Sequence, residues 1–122
     1  AVSNYLSNHP KIEKVFFPGT DKRHKEIAEK QMDGFGGMMS IIIDADMNGI
    51  KKFLKSLNLF TLAESLGGVE SLIEHPATMT HASIDKDIRK SLGILDNLLR
   101  LSVGIEDADD LIADIKQALE KI

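Results

Sequence analysis

Residues 98–107 read LLRLSVGIED, and in them Leu99, Leu101, Val103 and Ile105 alternate with Arg100, Ser102, Gly104 and Glu106. Successive side chains of a β-strand point to opposite faces, so a strand here buries the first set and presents the second. Arg100 is then the one cation of the polar face. The second informative stretch lies upstream, residues 64–83, ESLGGVESLIEHPATMTHAS. Polar residues, two glycines and a proline stand there where a packed element needs apolar ones. Ser65 precedes the pair Gly67 and Gly68, Pro76 must stop a short helix from Val69, and Thr78, Thr80 and His81 add hydroxyls and an imidazole. That is the composition of a pocket wall.

Outward from these stretches the chain reads as alternating strands and helices. Downstream, Asp107 caps a closing helix with Asp109 and Asp110 in its first turn and Lys121 in its last, a polarity that suits the helix dipole. Its core face is Leu111, Ile115, Ala118, Leu119 and Ile122. Between the two stretches, Ser83 to Leu92 reads as a short helix with Ile84, Ile88 and Leu92 inward and Gly93 as its C-terminal cap. Within the first stretch, a short helix is expected around Glu70 to Glu74. Upstream, Leu59 to Leu66 reads as an edge or penultimate strand that delivers Ser65. Asp46 caps a helix whose Ile50, Phe53, Leu54 and Leu57 form a stripe opposite Lys51, Lys52 and Lys55.

Residues 38–44, MMSIIID, are the most strand-like run and are expected at the sheet's centre. A short helix from Asp21 to Met32 should turn Ile27, Ala28 and Met32 inward, and Lys11 to Phe17 reads as a strand turned by Pro18-Gly19. Residues 1–8 look like the remnant of an interdomain helix, ended at His9-Pro10. The predicted fold is α+β: one domain over 1–122, with three or four strands, mixed or mostly antiparallel, covered by helices on one face.

Composition narrows the function. A net charge of −4 with no cluster of Lys and Arg argues against nucleic acid, and the absence of Cys removes disulfides and thiolate metal sites. The longest apolar run, Met38 to Ile43, is far too short to span a bilayer, and no signal peptide opens the chain, so the expected compartment is the cytoplasm. His75 and His81 stand six apart across a proline, without the spacing of a helical metal pair, so hydrogen bonding in a loop is expected and no metal. The glycines of 34–37 precede a strand, unlike a phosphate loop. Met32, Met38, Met39 and Met47 read as core fillers.

Three residues are candidates for binding. Arg100 on a strand can grip a planar carboxylate with two parallel hydrogen bonds, although an exposed strand Arg is more often a solvated cation. Ser65, before the double glycine, stands where a turn can aim main-chain groups at a ligand, or simply in a strand-exit turn. Glu70 has the ordinary meaning of a charge at a helix start.

Residues 65–72 (SLGGVESL), 75–83 (HPATMTHAS) and 100–107 (RLSVGIED) change that balance. They resemble the C-terminal part of the cystathionine γ-synthase, γ-lyase and β-lyase group, the pyridoxal-phosphate enzymes of cysteine and methionine metabolism. Leu95 and Lys22 to Lys25 depart from the family pattern. The resemblance implies that Arg100 binds the substrate α-carboxylate, that Ser65 helps largely through its backbone, and that Glu70 faces the substrate's distal end. It implies a cofactor, pyridoxal phosphate, held by a large N-terminal domain that also carries the Schiff-base lysine. No catalytic or cofactor-binding residue is then expected in these 122 residues, which alone should be inert. The implied partners are that large domain, further copies of the chain in a homotetramer, and an amino acid such as cystathionine or an O-acylhomoserine, undergoing β- or γ-elimination or γ-replacement.

Two rival readings stand beside it. A free-standing α+β module would clamp an amino acid between Arg100 and Ser65 without chemistry. A structural or assembly domain would have Arg100 already paired to a protein carboxylate.

Overall fold

The computed structural model describes residues 1–65 and 67–122. Their chain order is α1 (Val2–Ser7), β1 (Ile12–Phe16), α2 (Lys25–Gln31), β2 (Met38–Ile43), α3 (Met47–Ser56), β3 (Thr61–Leu62), β4 (Leu72–Glu74), α4 (Lys86–Ser91), β5 (Leu98–Ser102) and α5 (Ala108–Leu119). The fold is α+β, with five strands in the order β1-β2-β5-β4-β3. Every pairing is antiparallel except β3 with β4. The expected three or four strands become five because two very short ones, of three and two residues, extend one edge.

The alternation in β5 works as read, with Leu99 and Leu101 fully buried. On the same face Met39, Ile41 and Ile43 of β2 and Ile73 of β4 join Leu6 of α1, Ile50 and Phe53 of α3, and Leu111, Ile115, Ala118 and Leu119 of α5 in one core. Helices α1, α3 and α5 therefore share one apolar layer against one face of the sheet. The caps fall where the sequence puts them: Asp46 accepts from the amide of Gly49, and Asp107 from those of Asp109 and Asp110.

Several expectations are corrected. The centre of the sheet is β5, with β2 beside it, because β4 claims the second edge of β5. The stretch expected as a helix at Glu70 to Glu74 is strand β4, since Leu72, Ile73 and Glu74 pair with β5 and Leu72 and Ile73 also with β3. Long-range pairing overrides the local preference of so short a segment. The strand expected over Leu59 to Leu66 shrinks to Thr61–Leu62, because the amides of Asn58, Leu59 and Phe60 bind the Asp114 carboxylate of α5 and are not free for a strand. Leu66 itself lies outside the described residues.

Strand β5 ends at Ser102, and Ile105 is 82% exposed. A Cβ on Gly104 would collide with the carbonyl oxygen of Val69, so the chain crosses there by close backbone approach and not by continuing the ladder. Helix α4 is shorter than expected and turned: Ile88 and Leu92 are exposed and Arg89 is buried. Ile27 and Met32 are likewise exposed, leaving Ala28 as the buried residue of α2, and of the four methionines read as core only Met39 joins it.

Candidate functional site

The polar face of β5 carries the site. In the sheet register Ser40 of β2 and Glu74 of β4 flank Arg100 on its two sides, so a cation and a carboxylate are cross-strand neighbours on the face away from the main core. Arg100 Nη2 lies 2.5 Å from Glu74 Oε2 and donates a hydrogen bond of 3.0 Å to the main-chain carbonyl of Ser65. The two contacts differ in kind. The Glu74 contact is an ion pair with a buried carboxylate, and the Ser65 contact a hydrogen bond to the main chain.

Glu74 is buried, and its other oxygen accepts the Thr80 hydroxyl. Thr80 Oγ1 also lies 2.8 Å from His81 Nδ1; with its own proton given to Glu74, the hydroxyl accepts from that ring nitrogen. The Ser65 hydroxyl donates to Ser102 Oγ at 3.1 Å and accepts from the amide of Gly67 at 3.2 Å. Gly67 has φ +110°, a backbone conformation that glycine alone adopts without strain, and so turns the chain back over Ser65.

Around these contacts opens a cleft of about 490 Å³ lined by Glu64, Ser65, Thr80 and Arg100. Arg100 keeps 29% of its side chain exposed, whereas Glu74 keeps 1%. Among the described residues Arg100 Nε and Nη1 take no protein acceptor. The wall thus offers one guanidinium and, from Glu64, one carboxylate. A cleft with both signs of charge on its wall is compatible with a zwitterionic ligand.

Of the sequence candidates, Arg100 and Ser65 meet in this cleft. Glu70 does not line it: it sits exposed on a bend before β4, beyond the end of the strand where Leu72 pairs with Ser102. Thr80, read as part of a pocket wall, also lines the cleft, whereas Glu64 and Glu74 were missed. Glu64 could have been found as the neighbour of Ser65, but nothing local marks Glu74, whose role comes from the β4–β5 register. Arg100 also has the carboxylate partner that the assembly reading expects.

Of the other polar clusters, those around His75 and Glu106 are engaged within the fold. His75 is buried; its Nε2 donates to the Asp96 carbonyl at 2.8 Å, which leaves Nδ1 to accept from the Thr78 hydroxyl at 2.8 Å. Both ring nitrogens serve the loop, and among the described residues no group of His, Cys, Asp or Glu is placed to hold a metal. A cleft of about 370 Å³ beside Ala1 and Gly37 contains Glu106 as its charged side chain. The Ser71 hydroxyl and amide bind both Glu106 oxygens at 2.7 Å and hold that carboxyl below its ordinary pKa.

Pyridoxal phosphate does not fit the Arg100 cleft, because no lysine stands among its lining residues to form a Schiff base. No helix of the described residues is long and apolar enough to cross a membrane.

The profile of the Cys/Met metabolism PLP-dependent enzymes matches residues 1–120. A cystathionine γ-lyase of Dictyostelium discoideum is 52% identical over 122 residues, which cover 99% of this chain and 32% of the relative. A cystathionine β-lyase of Lactococcus lactis is 54% identical over 121 residues, covering 98% and 32%. The crystal structure of cystathionine γ-synthase from Xanthomonas oryzae pv. oryzae in complex with cystathionine superposes with a TM-score of 0.90 at 45% identity, over 98% of this chain and 31% of that one. The chain thus spans about a third of the length of the relatives it matches.

Proposed function

The chain belongs to the Cys/Met metabolism PLP-dependent enzymes, and from that premise we propose that it is the C-terminal, substrate-carboxylate-binding domain of a trans-sulfuration enzyme. The observation that carries the reading is the convergence of Arg100, Ser65 and Glu64 on one cleft. In it Arg100 binds the α-carboxylate of an amino acid such as cystathionine or an O-acylhomoserine, and the Ser65 main chain holds the guanidinium in place. Glu64 lines the cleft and offers its carboxylate to a substrate ammonium, whereas Glu70, expected at the substrate's distal end, does not line it.

The cofactor, when bound, supplies the electron sink for elimination or replacement next to the amino group, and it is held by a large domain outside these residues. In this reading the 122 residues are inert alone and work in a cytoplasmic homo-oligomer. The reading covers elimination at the β or γ carbon and replacement alike, as a γ-lyase, a β-lyase and a γ-synthase are all among the similar proteins.

The Arg100–Glu74 pair also favours the assembly reading, and one substitution separates the two. Arg100→Lys keeps a cation for Glu74 but loses the planar fork that grips a carboxylate. In the complete gene product it should raise KM for the amino acid by about thirtyfold to several thousandfold, corresponding to about 2–5 kcal/mol for a broken buried charge contact, with the cofactor's visible absorbance and Tm little changed. Unchanged KM would leave Arg100 as a structural cation only.

A further inference from the structure

We propose that Glu74, anchored by Thr80, is the positioning residue that sets the plane of the Arg100 guanidinium for an incoming carboxylate; this rests on the clamp reading above. The arrangement begins with register, since Glu74 pairs directly with Arg100 across β4 and β5. With 1% of its side chain exposed, Glu74 cannot itself reach a ligand in the cleft. One of its oxygens is fixed by the Thr80 hydroxyl, which His81 Nδ1 holds in turn at 2.8 Å. The other oxygen pulls on Nη2 from 2.5 Å, while the aligned N–H of Nη2 goes to the Ser65 carbonyl at 3.0 Å.

A long side chain rooted in a strand and held at one terminal nitrogen by two fixed acceptors has little freedom left to rotate its plane. That matters because the plane fixes where the remaining N–H donors point, and an incoming carboxylate needs those directions set in advance. Both protein contacts fall on Nη2, so the ion pair with Glu74 orients the guanidinium through that one nitrogen. Among the described residues Nε and Nη1 have no protein acceptor and stay available. A merely structural pair would bury the cation as well as the carboxylate, whereas Arg100 keeps 29% of its side chain exposed.

Glu74 has a second, opposing influence, because its charge also repels an incoming carboxylate. Positioning and repulsion therefore predict opposite signs for the same substitution. Glu74→Gln keeps the shape and an oxygen for the Thr80 hydroxyl but ends the pull on Nη2. In the complete gene product carrying its cofactor, Glu74→Gln should raise KM for the amino-acid substrate by about tenfold to a hundredfold while kcat changes far less. The affinity for an unreactive amino-acid analogue, titrated at equilibrium, should fall by the same factor.

Glu74→Asp, which keeps the buried charge but withdraws it from both Thr80 and Arg100, should move KM in the same direction. It decides the matter if the Gln variant does not fold. An unchanged or lowered KM in a folded variant overturns the proposal. Arg100→Lys run alongside keeps the two readings apart. If it raises KM and the Glu74 variants do not, positioning by Glu74 is wrong and the clamp stands; if it leaves KM unchanged, the clamp itself falls.

Discussion

The carboxylate of Asp114 accepts the amide hydrogens of Asn58, Leu59 and Phe60 at 2.8, 2.9 and 3.1 Å, three consecutive donors that a strand would have given to a neighbour. Asp114 is buried, which alone would raise its pKa; the three amides and the Gln117 side chain more than offset this and hold the carboxyl below its ordinary value. A group whose folded pKa is depressed adds stability above its unfolded pKa and loses it as pH falls through the folded one. Asp114→Asn should therefore cost about 2 kcal/mol at pH 7, the size expected for hydrogen bonds to a buried charge. The gap between wild type and variant, read from denaturant midpoints, should narrow as pH drops below about 4. A gap that stays constant with pH would mean that the three amides find another acceptor. Asp114 and Glu74 share a property: each is a common residue in an unremarkable local string, and each draws its role from a residue far along the chain.

At the scale of elements, α4 shows what a periodic pattern leaves undetermined. Ile84, Ile88 and Leu92 repeat every four residues, yet Ile88 is 56% and Leu92 62% exposed while Arg89 is 7% exposed. The rotation of the helix follows from Asp96, whose carboxylate binds Arg89 and Lys86 at 2.7 Å each, with Lys86 first among the contacts that hold its carboxyl below the ordinary range. Helix α4 is thus tied down by its charged side to the segment leading into β5. Ile88→Glu should then change the stability of the chain by less than about 0.5 kcal/mol in a denaturant titration, as for any exposed helix position. Arg89→Met should be neutral or stabilising, because it removes buried Nε and Nη1 groups without partners and leaves Asp96 paired to Lys86. A loss of more than about 2 kcal/mol for Ile88→Glu would restore the orientation read from the sequence.

Over the whole molecule, the sheet divides labour between its faces. One face carries the core shared by α1, α3 and α5; the other carries the row Ser40, Arg100 and Glu74 and the cleft beside it. A five-stranded scaffold with its core on one side can hold recognition residues rigidly on the other. In the proposed function the cleft binds substrate and no lysine lines it, so these 122 residues mixed with pyridoxal phosphate and cystathionine should release no measurable thiol or 2-oxo acid. Turnover by the isolated chain would show that the cofactor chemistry is housed here and would overturn the division between this domain and a larger one.

Sequence alone determined what depends on local chemistry and on long identical strings: the α+β class, the caps Asp46 and Asp107, the buried set Leu99 and Leu101, and the family. Those are set by side-chain periodicity and by hydrogen bonds within a few residues. Tertiary structure decided what depends on which strands meet. It made β4 from a stretch expected as a helix, cut β3 to two residues through Asp114, and turned α4 through Asp96. It also brought Glu64, Ser65, Thr80 and Glu74 to Arg100. The reason is physical: a buried ion pair or a captured amide outweighs local propensities of a few tenths of a kcal/mol; Glu74–Arg100 and Asn58–Asp114 span 26 and 56 residues, beyond any short window, while Arg89–Asp96 spans seven but joins α4 to the segment leading into β5.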